Sequence, residues 1–71
     1  MTIYTIQDRN NTYRLRDYDD RKGCVFTNDI IFALKFDSRV AAAEWMLFQM
    51  PDEVANKYLI VKEEEDYYYG N

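Results

Sequence analysis

The hydrophobic pattern of the chain changes period along its length. Residues 2–7 read TIYTIQ, an alternating, β-branched and aromatic run that predicts a strand at about 2–7. Asp8-Arg9-Asn10-Asn11 follows as a turn, rich in side chains that bond their own backbone. Residues 12–18, TYRLRDY, predict a second strand with Tyr13 and Leu15 on one face and Thr12, Arg14 and Arg16 on the other. So short a link implies an antiparallel hairpin. A second turn closes at Gly23, and Cys24-Val25-Phe26-Thr27 forms a short third strand. After Asn28, Asp29 is placed to cap one or two helical turns reaching Ala33 and Leu34, although the apolar run also fits a strand.

Ser38 opens the clearest element. It is an N-cap candidate, and Arg39 to Met50 follows with three consecutive alanines, Leu and Met, all good helix formers. Pro51 ends it, because proline disfavours helical geometry in the residue before it. Residues 51–56, PDEVAN, make a connection with room for one helical turn. Residues 57–63, KYLIVKE, predict the last strand, with Leu59 and Val61 opposite Tyr58 and Ile60. These elements predict an α+β fold: a small antiparallel sheet of three or four strands, ordered β-β-(β)-α-β, with one main helix packed on one face. Residues 1–64 are expected to form a single domain and residues 65–71 an acidic-aromatic C-terminal tail.

The main helix has one apolar arc too many. Drawn at 100° per residue, Ala42, Trp45, Met46 and Gln49 share one arc, while Val40, Ala43, Leu47 and Met50 share another. Phe48 falls at the flank beside Glu44. Either the segment Ile30–Phe36 wraps the second arc, or that arc meets another protein or a second copy. Size favours the second option. A core built from 71 residues supplies only about 3–5 kcal/mol and can scarcely surround a helix. Val40, Leu47 and Met50 are therefore the expected contact residues.

Composition narrows the means of reinforcement. Cys24 is the single cysteine, so no disulfide forms within the chain, and a lone thiol suits a reducing cytoplasm. With no histidine and one cysteine, a tetrahedral N/S zinc site is not expected, and Ser-His and Cys-His pairs are absent. Asp17, Asp19 and Asp20 lack the ligand spacing of a calcium loop and read as a turn. Asn10-Asn11-Thr12 matches a glycosylation acceptor but also reads as a turn. Two glycines, Gly23 and Gly70, cannot build a phosphate-binding loop. No catalytic constellation, cofactor or metal is expected. The start of the chain shows no secretory signal and no stretch long enough to span a membrane.

The net charge of -4 is unevenly spread. Through Phe36 five acids face six bases, whereas beyond it eight acids face only Arg39, Lys57 and Lys62. Phosphates would be repelled at the acidic end, which disfavours nucleic acid. The competing possibility is a small nucleic-acid-binding module using Arg14, Arg16, Arg21 and Lys22 with Tyr18.

The order of parts resembles small phage and prophage proteins of Gram-positive bacteria. The similarity runs over about Ile3 to Glu64 and is distinctive at Phe26-Thr27-Asn28-Asp29-Ile30, Ala33, Phe36 and Ser38. It implies that Ala33, Phe36, Ala42, Trp45 and Met46 face the sheet and that Val40, Ala43, Leu47 and Met50 lie outside. Where those proteins carry charged helix residues, this chain has VAAA and LF. Proteins of that kind include inhibitors of host enzymes, of DNA-associated proteins and of defence systems. The resemblance thus implies an accessory protein that binds a host protein; the lone thiol adds a cytoplasmic expectation, and chain size with the second apolar arc makes a homodimer the expected assembly.

The chain closes on EEEDYYYGN. These residues are expected to be a solvated end, a continuation of the last strand, or a row of negative charge offered to a basic partner in imitation of nucleic acid. Glu63, Glu64, Glu65, Asp66, Tyr67 and Tyr69 are the candidate binding residues of this stretch.

Overall fold

A computed structural model describes residues 2–64. It contains a four-stranded antiparallel sheet and one main helix, the predicted α+β class. The strands are β1 (Thr2–Asp8), β2 (Arg14–Asp19), β3 (Gly23–Thr27) and β4 (Tyr58–Glu64), in spatial order β3-β2-β1-β4. Between β3 and β4 run a 3₁₀ turn at Ile30–Phe32, helix α1 (Arg39–Gln49) and the single-turn helix α2 (Asp52–Ala55). No helix among these residues is long and apolar enough to cross a membrane.

Local chemistry sets the element ends. The Asp29 carboxylate accepts the Ile31 N–H and starts the 3₁₀ turn, while Ser38 Oγ accepts the Ala41 N–H at 3.0 Å and starts α1. Met50, before Pro51, takes an extended backbone (φ -121°, ψ 141°) and stops the helix there. Gly23 holds φ 81°, the left-handed conformation that the β2–β3 turn requires.

The two halves of the sheet are unequally joined. β1 and β4 pair along their whole length, from Thr2 opposite Glu64 to Asp8 opposite Tyr58. By contrast β1 and β2 meet at Gln7 and Arg14, close to their turn. Beyond that point the chain after the 3₁₀ turn enters the gap. The Leu34 N–H donates to the Leu15 carbonyl of β2 at 3.0 Å, and Phe36 exchanges two backbone bonds with Tyr4 of β1 at 2.8 and 2.9 Å. The segment 34–36 thereby satisfies backbone groups that the diverging strands would leave unpaired.

The core lies between the sheet and α1, around Ile6, Leu15, Met46 and Met50. Tyr18, Cys24, Phe26, Leu34, Phe36, Trp45, Tyr58 and Ile60 pack against it. Leu15 and Tyr18 share the core face although they are three positions apart, an odd spacing. A β-bulge makes this possible: Leu15 lies opposite Phe26 and Asp17 opposite Val25, so Arg16 is the extra residue. Strict alternation would have placed Tyr18 across the sheet from Leu15, and it also placed Tyr13 beside Leu15. Instead Tyr13 precedes β2 and is 47% exposed.

Candidate protein-binding surface

Helix α1 lies across β1 and β4 and turns Ala42 and Met46 inward, with Trp45 half-buried and 6.0 Å from the Phe36 ring. Its opposite side is left uncovered. Val40 is 67% exposed, Leu47 69% and Phe48 80%, and Ala43 and Glu44 stand among them. In wheel order the exposed strip runs Ala43, Leu47, Val40, Glu44, Phe48, four apolar side chains around one acid.

One expectation about this face needs correction. Met50 is buried, 5% exposed, and belongs to the core rather than to the outer arc. The wheel misplaces it because helical geometry ends at Gln49. Its extended backbone swings the side chain inward while its N–H still donates to the Met46 carbonyl at 2.9 Å. Phe48, at the flank beside Glu44, is the most exposed large apolar side chain among the described residues. Its position beside Glu44 on the wheel was the available signal. The Ile30–Phe36 segment does not wrap this face; Phe32 and Ala33 bond within the 3₁₀ turn, and Leu34 and Phe36 bond to β2 and β1.

The second group of candidates divides at Glu63. Its side chain is 13% exposed and lies on the sheet face away from α1, where the Arg14 guanidinium grips it through Nη2 at 2.6 Å and Nε at 2.9 Å. The hydroxyl of Thr5, itself fully buried, donates to the same carboxylate, and Gln7 Nε2 donates to that hydroxyl at 3.4 Å. The Arg14 bonds hold the Glu63 carboxyl below the usual glutamate range, against the opposing effect of burial. Glu63 is thus an internal partner of Arg14 and is not presented outward as a binding acid. Glu64 is the last residue of β4. Glu65, Asp66, Tyr67 and Tyr69 lie outside the described residues.

The basic candidates are similarly divided. Arg14 is engaged with Glu63 and with the Asn28 carbonyl at 3.3 Å. Arg16 stacks its guanidinium 5.1 Å from the centre of the Phe32 ring. Arg21 and Lys22 sit exposed in the β2–β3 turn, their N–H groups donating to Asp19. Tyr18 packs against the core. The four bases do not form one outward stripe, which weighs against a nucleic-acid module.

Cys24 occupies a structural position. Its thiol is 3.2 Å from the Tyr58 hydroxyl, and the Tyr58 ring lies 5.7 Å from that of Phe26. Burial first, and the Cys24 contact second, raise the Tyr58 phenol far above its ordinary pKa. This contact ties strands at opposite edges of the sheet across the core face. Compared with protein-family models, curated proteins and solved structures, the chain matches none.

Proposed function

We propose that the chain is a non-catalytic binding protein that docks another protein against the outer face of α1. The observation supporting this reading is the contiguous exposure of Val40, Leu47 and Phe48 on one helix. Apolar strips of this kind favour association because water is released when they are covered. The resemblance to phage and prophage proteins of Gram-positive bacteria supports an accessory role in the host cytoplasm, where the docked protein is modulated or inhibited. The acids and tyrosines from Glu64 to Tyr69 would extend the contact toward a basic partner, with carboxylates standing in for phosphate charge. A second copy is the other occupant to weigh for the α1 face, since a homodimer would reinforce a small core.

The test is affinity capture from host lysate with the intact chain and with Leu47→Asp/Phe48→Asp. Both sites are exposed, so the double variant is expected to keep its circular dichroism and melting temperature while losing its captured protein. Equal capture by the two chains would overturn the docking role of this face.

A further inference from the structure

We infer that the occupant of the outer α1 face is a basic amphipathic segment of a different protein, not a second copy of this chain. This inference rests on the docking reading above and adds the chemistry of the partner. Glu44 lies inside the apolar strip, between Val40 and Phe48 on the wheel. From Asp37 to Asn56 the acids are Asp37, Glu44, Asp52 and Glu53, and the one base is Arg39. All four acids are exposed, and among the described residues none of them holds an ion pair. Arg39 does not offset them at the outer face. Its guanidinium turns back onto the sheet, 5.4 Å from the Tyr4 ring centre, and donates to the Ile60 carbonyl at 3.0 Å. The strip is therefore apolar at its centre, with unneutralised negative charge in it and at its ends.

Self-association meets this charge unfavourably. An antiparallel two-fold pairing that sets Val40 against Leu47 of the other copy places Ala43 opposite Glu44. The two Glu44 carboxylates then flank the axis within about one helical turn. Like charges so placed oppose docking. The strip is also small. Eleven residues of helix give a length of about 16 Å, short of what an interface of roughly 800 Å² per partner requires. A single helix with apolar residues at i, i+3 or i+4 and i+7, flanked by Lys or Arg, fits both its size and its sign.

The test uses a short leucine–lysine amphipathic peptide and its leucine–glutamate counterpart, titrated calorimetrically into the intact chain. Expected are binding of the basic peptide only, weakening with added salt, and loss of binding in Leu47→Asp. Glu44→Lys is expected to weaken binding roughly tenfold, about what one partly desolvated charge contact is worth. A chain with Asp20→Asn, an exposed acid of the β2–β3 turn, is expected to bind as well as the original. If Leu47→Asp abolishes binding but Glu44→Lys does not weaken it, the charge argument fails and the docking reading stands. A dimer in sedimentation that Leu47→Asp dissociates, with no peptide binding, likewise overturns the inference in favour of a second copy. Binding of the basic peptide unaffected by Leu47→Asp removes both readings.

Discussion

Arg14 and Glu63 meet on the sheet face turned away from α1, two side chains separated by 49 positions in sequence. Their bidentate contact, joined by the buried Thr5 hydroxyl, leaves each group dependent on the other. Glu63→Gln is expected to cost about 1.5–3 kcal/mol, the usual range for a charge-assisted contact, measurable as a lowered urea midpoint. Because the folded carboxyl titrates below its unfolded value, this stabilisation is complete above the unfolded glutamate pKa of about 4.3 and is lost as pH falls through the lower folded value. The gap between the two chains should accordingly close on acidification from neutral pH; a gap that holds constant to low pH would contradict the assignment. Thr12 presents a different residue-level case. It sits in the β1–β2 turn at φ 61°, a conformation poorly tolerated by a β-branched side chain. Thr12→Asn is expected to stabilise the chain by about 0.5–1 kcal/mol, since asparagine tolerates this geometry, and a denaturation curve shifted the other way would refute the strain.

Helix α1 shows why a projection must stop where the helix stops. Leu47 and Met50 share an arc on paper, yet one is 69% exposed and the other 5%. Met50→Ala is expected to cost about 2–5 kcal/mol by opening a cavity beside Ile6 and Leu15. Leu47→Ala is expected to fall within about 0.5 kcal/mol of the original chain. Parallel thermal melts of the two variants separate these outcomes, and equal losses would contradict the placement. The N-terminus of the helix, by contrast, followed its local signal: Ser38 caps it as the sequence predicts. The unpartnered strip was legible too, because Val40 and Leu47 lie on the wheel opposite the sheet-facing Ala42 and Met46. What the pattern could not convey is that Pro51 removes Met50 from the strip and leaves Phe48 within it.

The whole molecule is organised around the gap between β1 and β2. Segment 34–36 bonds to both strands and lets the two hairpin arms diverge while their backbone groups stay satisfied. In native-state hydrogen exchange, the amides of Tyr4, Leu34 and Phe36 are expected to be as protected as those of the β1–β4 ladder. Rapid exchange at Leu34 and Phe36 would mean that the segment does not join the strands. The same architecture places α1 over β1 and β4, where one side is covered and the other left open. The proposed docking surface is thus a consequence of having one helix layer and a short chain.

Taken alone, the sequence determined the α+β class, the approximate strands, the capped start and proline-bounded end of α1, and the excess of apolar surface on it. These are local properties, set by residue periodicity, capping chemistry and backbone restriction, which act between neighbours along the chain. Tertiary structure alone decided the bulge at Arg16 that aligns Leu15 with Tyr18, the pairing of Arg14 with Glu63, and the insertion of residues 34–36 beside β1 and β2. Each depends on partners distant in sequence, selected because buried polar groups must be paired and apolar ones packed; no local period encodes which distant group will be there.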